Sequence, residues 1–119
     1  MKTERRAFGD KGELAAERYL RKQGYKIVER NFSVRQGEID IVAKHKQAIV
    51  FVEVKTRKSD SFGSALEAVS PAKARKLAAA AYIYLAQHKL DDVDFRIDVI
   101  TVTFPGPVID HYESAVGEE

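Results

Sequence analysis

The sequence predicts a single α/β domain over residues 1–119, with a mixed central sheet flanked by helices. The spacing of apolar residues gives the element order helix, three strands, helix, strand. The final strand–helix–strand passage calls for a right-handed crossover between parallel strands, whereas the strands before it are close enough to pair antiparallel. A chain of 119 residues can build one two-layer core but not two.

The first helix is expected to run from Asp10, a suitable N-cap, to about Gln23. Its apolar stripe follows the helical period and consists of Ala15, Ala16, Tyr19 and Leu20. Gly24 suits the end of this helix because glycine readily takes the left-handed conformation there. The basic residues 1–7 and the acidic residues 113–119 are expected to be loose.

Three strands are predicted next. Alternation of apolar and polar residues indicates a first strand at Tyr25–Val34, followed by the turn "RQG". A hairpin follows, with strands at Glu38–Lys44 and Ala48–Arg57 joined around His45–Gln47.

The second half begins with the polar loop "KSDSFGSALEAV". Ser70 as N-cap and Pro71 at the first position mark a helix that is expected to end near His88. The β-branched residues of Phe95–Phe104 predict a strand, and Val108–Tyr112 predicts a short edge strand.

Composition and charge narrow the class of protein. The chain has no cysteine, which excludes disulfides, thiolate zinc sites and cysteine nucleophiles. No leader-like region and no apolar segment of roughly 18 residues is visible, so we expect a cytoplasmic protein without membrane contact. Residues 1–58 carry 15 Lys and Arg against 8 Asp and Glu, whereas residues 59–119 carry 5 against 10. This asymmetry suits a polyanionic partner on one face, and it is equally compatible with a solvated surface.

Charged residues interrupt both apolar strands of the hairpin. With a two-residue turn at Lys46-Gln47, Asp40 faces Glu53. The same register makes Glu38 face Lys55, and the period of two puts all four side chains on one face. Nearer the turn this face carries Val42, Ile49 and Phe51, while the other face carries Ile39, Ile41, Val50, Val52 and Val54.

Facing carboxylates repel each other, strongly so under a covering helix unless a cation lies between them. Mg²⁺, bound by one or two carboxylates and by substrate phosphate oxygens, removes this conflict. Lys55 would then hold an attacking water or a phosphate oxygen, as metal-assisted phosphodiester hydrolysis requires. The alternative is an amphipathic hairpin with one solvated face, on which Glu38 and Lys55 form a weak ion pair.

Several segments together resemble the YraN family of small bacterial proteins. That family is similar to the PD-(D/E)XK nuclease superfamily, which includes archaeal Holliday-junction resolvases. The matching segments cover nearly the whole chain: "GDKGELAAERYL", "RNF", "GEIDIVA", "VFVEVKTR", "FGSALEAV", the helix bearing Lys73, and "RIDVITV". One departure is Ile39, which stands before Asp40 in place of proline. The resemblance implies a restriction-endonuclease-like αβββαβ core.

The resemblance also implies roles for individual residues. Asp40 matches the first signature acid, Glu53 the second, and Lys55 the signature lysine. Glu13 matches the helix acid that resolvase-like members bring to the metal. The implied cofactor is Mg²⁺ or Mn²⁺, held by Asp40, Glu53, the backbone carbonyl of Val54, and Glu13 directly or through water.

Glu13 and Asp98 also have structural explanations that involve no metal. Glu13 could instead complete a capping box with Asp10, and Glu17, one turn on, is the reserve acid. Asp98, in an apolar strand beside Arg96, is expected to form an internal ion pair, with a third acid at the site as the alternative. No histidine is assigned to a metal.

Basic residues around the predicted site are expected to bind nucleic acid: Arg35, Arg57, Lys58 and Lys73. Lys73 lies in the first turn of the second helix, where a cation opposes the helix dipole and a docked phosphate would offset that cost. Ordinary surface or edge-strand charge is the alternative for these residues.

The sequence therefore predicts a Mg²⁺- or Mn²⁺-dependent DNA endonuclease, with branched or damaged DNA as candidate substrates. The alternatives are a non-catalytic nucleic-acid-binding module on a nuclease-like scaffold, and a protein-binding adaptor that uses the acidic half. Three alternatives stay open at this point: DNA or RNA as the substrate, endonucleolytic or exonucleolytic cleavage, and a monomer or a homodimer as the oligomeric state.

Overall fold

Within the described residues, a five-stranded sheet carries one helix on each face. The computed structural model describes residues 2–59 and 69–117, so most of the predicted polar loop lies outside the described residues. The elements are α1 Glu4–Lys22, β1 Lys26–Val34, β2 Gly37–His45, β3 Ala48–Lys58, α2 Pro71–Gln87, β4 Phe95–Phe104 and β5 Val108–Val116. The strand order is β1-β2-β3-β4-β5, with β3 and β4 parallel and the other neighbours antiparallel. The predicted mixed sheet and αβββαβ order are confirmed.

Helix α1 begins earlier than predicted. The Thr3 hydroxyl accepts the Arg6 N–H at 3.0 Å and so caps the helix at Glu4. Asp10 lies inside the helix, where its carboxylate is 2.7 Å from Lys2 Nζ. The predicted helix start at Asp10 is therefore wrong, and so is the predicted loose arm from Glu4 onward. With Thr3 as its cap, the helix begins at Glu4, six residues before Asp10.

Two apolar clusters hold the helices on the sheet. The cluster on the α1 side includes Ala16, Leu20, Ile41, Val50, Val52 and Ile100, and the cluster on the α2 side includes Val42, Ile49, Phe51, Leu77 and Tyr84. Helix α1 lies so close to β3 that a Cβ at Gly12 would be 1.8 Å from Thr56 Oγ1. This contact places the next residue, Glu13, beside the end of β3 where the hairpin acids lie.

Strands β1 and β2 both change face near Asp40. Arg30 and Ile41 are paired across the strands, and both face α1, where Arg30 pairs with acidic residues of the helix. Phe32 and Ile39 are the next such pair, but both belong to the cluster on the α2 side. Between Arg30 and Phe32, Asn31 has φ 56°, a left-handed conformation that asparagine tolerates. The sequence predicts Ile39 on the same face as Ile41, and this prediction is wrong because the alternation breaks at this point.

Strand β5 is longer than expected and includes residues 113–116, which were predicted to be loose. Its pairing with β4 shifts between Ile97 and Val99, so that Asp98 faces a bulge. Ser114 lies in this bulge with φ 50° and donates its N–H to Asp98 at 2.9 Å. The hydrogen bond to the buried Asp98 carboxylate thus helps to hold residues 113–116 in β5, and sequence periodicity does not predict this.

Neither helix in the described part of the chain combines the length and hydropathy that crossing a bilayer requires.

Candidate functional site

The hairpin register places Asp40 beside β3. The β2–β3 ladder runs from His45/Ala48 to Ile41/Val52 and confirms the predicted register near the turn. Beyond Ile41, the Asp40 carboxylate accepts the Val54 N–H at 2.8 Å. The Asp40 side chain thus accepts a backbone N–H of β3, and this hydrogen bond holds the carboxylate close to Glu53.

Three acids from three elements border one cavity. Glu13 of α1, Asp40 of β2 and Glu53 of β3 line a cleft of about 330 Å³, together with Val54, Lys55 and Lys73. A neighbouring cavity of about 530 Å³ shares Glu13 and Asp40 and extends toward the start of α1 and the β1 residues Asn31 and Ser33. The structure thus brings together all the residues that the family resemblance implies for the metal and the catalytic lysine.

The cleft makes ionisation of Asp40 unfavourable. Burial, followed by the hydrogen bond and the negative charge of Glu53, raises the pKa of Asp40 to about 8, against the opposing effect of the Val54 N–H. At neutral pH the Asp40 carboxyl is therefore mostly protonated. Burial also raises the pKa of Glu13, although the Arg30 guanidinium opposes that shift. The site would be more stable with a cation among its acids.

Glu13 is the acid with an unsatisfied oxygen. Its Oε1 is buried without a hydrogen-bond partner, and the Arg30 Nη2 atom is 3.8 Å away, beyond hydrogen-bond reach. Because α1 starts at Glu4, Glu13 lies in the third turn, and the alternative of a capping box with Asp10 is wrong. The reserve acid Glu17 is engaged by Arg30 at 3.5 Å.

Lys73 reaches from the first turn of α2 into the cleft. Its Nζ is 2.7 Å from Glu53 Oε2. This hydrogen bond, partly offset by burial, raises the pKa of Lys73. A residue predicted from the sequence to hold phosphate is thus paired with a site acid, while the exposed Lys55 lines the same cleft.

Comparison with known proteins gives the family. The sequence model of the uncharacterised protein family UPF0102 matches residues 12–102. The chain belongs to this family. UPF0102 is the YraN family, so the resemblance seen in the sequence is confirmed. Relatives named UPF0102 protein include one from Geobacter metallireducens, 46% identical over 117 residues, covering 97% of this chain and 96% of the relative. One from Vibrio campbellii is 42% identical over 116 residues, covering 96% and 95%, and one from Chloroflexus aurantiacus is 46% identical over 123 residues, covering 100% of both.

The other basic residues predicted to contact nucleic acid lie outside the cleft itself in this UPF0102 protein. Arg35, in the β1–β2 turn, lines a cavity of about 340 Å³ with Lys73 and Lys76. Arg57 donates from Nε to Thr103 Oγ1 at 3.2 Å. Lys58 is exposed at the end of β3. Arg35 is thus adjacent to the cleft, whereas Arg57 and Lys58 continue along the strand beyond it.

A second polar group lies on the α1 side of the sheet. Asp98, His111 and Glu113 have ligand atoms within 4.8 Å of one another, so this group could hold a metal ion. The Arg96 guanidinium lies 3.0 Å from Asp98 Oδ1 and 3.1 Å from Glu113 Oε1, and His111 Nε2 is 2.7 Å from Asp98 Oδ2. The predicted Asp98–Arg96 ion pair is confirmed.

Asp98 is already satisfied without an ion. Burial tends to raise its pKa, but hydrogen bonds from His111, the Ser114 N–H and Arg96 outweigh burial and lower it. Within the described residues, Asp98 lines neither of the cavities that contain Asp40. We therefore interpret this group as a structural network that fastens β5 to α1 and the sheet. The sequence signal for His111 was weak because it lies 13 residues beyond Asp98 along the chain.

Proposed function

We propose that this protein is a divalent-metal-dependent nuclease that hydrolyses phosphodiester bonds in DNA. One observation carries the proposal: three carboxyl groups from α1, β2 and β3 meet in one cleft, with a raised pKa at Asp40 and an unsatisfied oxygen on Glu13. Buried acids that oppose one another's ionisation are unfavourable unless a cation joins them.

The residues present fit a hard divalent cation. Mg²⁺ and Mn²⁺ favour carboxylate and carbonyl oxygens, and Mg²⁺ in particular is commonly held by one or two carboxylates plus substrate phosphate. In this proposal the ion is held by Asp40, Glu53 and the Val54 carbonyl, with Glu13 bound directly or through water. When bound, such an ion stabilises negative charge on the phosphoryl oxygens and acidifies a water molecule.

The remaining residues of the cleft position substrate and water. Lys55 is exposed at the cleft and offers three N–H donors to the attacking water or to a phosphate oxygen. The Val54 N–H donates to one oxygen of Asp40, which keeps that carboxyl group in place. Asp40, whose pKa is raised to about 8, would release its proton to solvent if a cation bound there.

DNA is the proposed partner because residues 1–58 carry the positive charge of the chain. Arg5 and Lys55 line the cleft, and Arg35 and Lys76 border the adjacent cavity. Lys and Arg contacts of this kind give a salt-dependent and largely sequence-independent affinity for the phosphate backbone. Branched DNA is the first substrate to test, since the family resemblance leads to junction resolvases.

A second candidate is a non-catalytic DNA-binding module on the same scaffold. The observation that favours it is the ion pair between Lys73 and Glu53, because it neutralises a site acid without any metal. The two proposals differ in what they require: the nuclease needs the metal, and the module does not.

A cleavage panel tests the proposal. Linear duplex, flap, four-way junction, single-stranded DNA and RNA are each incubated with Mg²⁺, Mn²⁺ or EDTA. Glu53→Gln removes the site charge, and Glu29→Gln makes the same change at an exposed position of β1. Metal-dependent cutting by wild type and Glu29→Gln, absent in Glu53→Gln, is the expected result. Silence of all three proteins, with DNA binding that EDTA does not affect, would contradict the nuclease and support the module.

A further inference from the structure

We infer that Lys73 is an internal competitor for the metal: it holds Glu53 while the site contains no ion and moves to the phosphate backbone when metal and DNA bind. The inference rests on the proposed function, because it concerns regulation of the same site. It follows from the position, exposure and charge of one side chain.

The contact itself is short and lies at the edge of the cleft. Lys73 Nζ is 2.7 Å from Glu53 Oε2, and Glu53 is buried with 9% of its surface exposed. The Lys73 side chain is 48% exposed, so its ammonium enters the cleft from the solvent side. A side chain held in this way can leave without any rearrangement of the core.

Glu53 holds the Lys73 ammonium group at the edge of the cleft. Lys73 is the third residue of α2, and its own backbone N–H is donated to the Ser70 Oγ at 3.1 Å. Cations are disfavoured at a helix start, and the first turn of α2 contains no acidic residue that would compensate. The attraction of Glu53 must therefore outweigh an unfavourable helix dipole, and Lys73 loses its main partner if Glu53 binds something else.

Lys73 and a metal ion cannot both hold this carboxylate oxygen. Both use the lone pairs of Glu53, and two positive charges in close contact repel each other. The released ammonium has a flexible four-carbon stem and remains at the mouth of the cleft. A phosphate group arriving with the substrate is a suitable new partner for it.

This exchange couples the two ligands. A phosphate that draws Lys73 from Glu53 makes the metal bind more tightly, and by thermodynamic linkage the metal makes the phosphate bind more tightly. The protein would thus resist loading with metal until nucleic acid is present.

The first test is the affinity for Mn²⁺ without DNA, measured by isothermal titration calorimetry at 0.15 M salt. Lys73→Met removes the competitor, and Lys89→Met removes an exposed charge just beyond the other end of α2. We expect Lys73→Met to bind Mn²⁺ about 5-fold or more tightly than wild type, the lower end of typical coupling factors. Lys89→Met should remain within about twofold of wild type, because the exposed charge lies at the far end of α2 and is screened over a Debye length.

The second test observes the lysine directly in the wild-type protein. The ¹⁵N-labelled ammonium group of Lys73, identified by its absence from the spectrum of Lys73→Met, should give a signal slowed in exchange by the ion pair. Saturating Mg²⁺ should shift or remove that signal, and DNA added afterwards should restore protection.

The outcomes separate the two proposals. Equal Mn²⁺ affinity of wild type and Lys73→Met, or a Lys73 signal that Mg²⁺ leaves unchanged, would overturn the competitor role alone. If neither protein binds Mn²⁺, the metal site fails, and the proposed function and this inference fail with it.

Discussion

Replacing Asp40 by asparagine should stabilise the metal-free protein at neutral and alkaline pH. Asparagine keeps an oxygen that can accept the Val54 N–H, as Asp40 does at 2.8 Å, but it cannot ionise. The substitution therefore removes the charge conflict with Glu53 and retains the local hydrogen bond. A gain in stability from removing a site acid is typical of functional sites, where activity requires unfavourable groups.

The magnitude follows from the pKa of Asp40, which is raised from 3.8 to about 8 in the folded protein. Because the folded state then binds the proton more tightly than the unfolded state, wild-type stability falls as pH rises from about 4 to about 8. At about 1.36 kcal/mol per pH unit, this loss is on the order of 3 kcal/mol at pH 6 and 5 kcal/mol at pH 8. Asp40→Asn should not show this loss.

Urea unfolding in EDTA at pH 5 and pH 8.5 measures the effect. The advantage of Asp40→Asn over wild type, expressed as free energy of unfolding, should grow by several kcal/mol between these two values. Asp92→Asn, an exposed position after α2, is the matched control and should follow wild type. The reasoning is refuted if Asp40→Asn and wild type keep the same difference at both pH values, or if the variant is the less stable protein at pH 8.5.

Four further predictions concern the packing of α1, the network around Asp98 and metal binding at Asp40. Gly12→Ala should destabilise the protein by about 1–3 kcal/mol, because a Cβ there would lie 1.8 Å from Thr56 Oγ1. Gly9→Ala, where a Cβ meets nothing within 4 Å, should stabilise it by about 0.5–1 kcal/mol in thermal melts. Asp98→Asn should cost about 3–5 kcal/mol at pH 7, because it leaves the Arg96 charge without its buried partner. Because the pKa of Asp98 is lowered in the folded protein, wild type should also lose stability as pH falls below about 4. Since the pKa of Asp40 is about 8, Mn²⁺ binding should release about 0.9 proton at pH 7 and about 0.1 at pH 9, measured by calorimetry in buffers of different ionisation enthalpy.

Each of these has a clear contrary result. Equal melting temperatures for the two glycine variants would show that α1 can shift away from β3. An Asp98→Asn protein as stable as wild type at pH 7 would show that the network around Asp98 does not fasten β5. Heats of Mn²⁺ binding that do not depend on the buffer at pH 7 would mean that Asp40 is already ionised.

Much of the fold could be predicted because local signals agreed with tertiary structure. The turn at Lys46-Gln47 sets the hairpin register from His45/Ala48 to Ile41/Val52, and beyond this ladder the Asp40 carboxylate accepts the Val54 N–H. Ser70 and Pro71 begin α2 where expected. These features depend on short-range rules, so one sequence was sufficient to find them.

Some differences from prediction are local, such as the Thr3 cap of α1, whereas others arise from contacts distant in sequence. The face change at Asn31 depends on a left-handed residue that alternation cannot detect. The ion pair of Lys73 with Glu53 joins positions 20 residues apart, and it depends on the packing of α2 over the sheet. The order of β5 depends on the buried Asp98, whose partner Ser114 is 16 residues away.

The most direct measurement is a crystal structure of the protein soaked in Mn²⁺, with anomalous scattering used to locate the ion. We predict an anomalous peak bonded to the Asp40 and Glu53 carboxylates and to the Val54 carbonyl, with the Lys73 ammonium moved away from Glu53. A structure at saturating Mn²⁺ in which Lys73 still holds Glu53, with no peak in the cleft or with a peak only at Asp98, His111 and Glu113, would contradict the account.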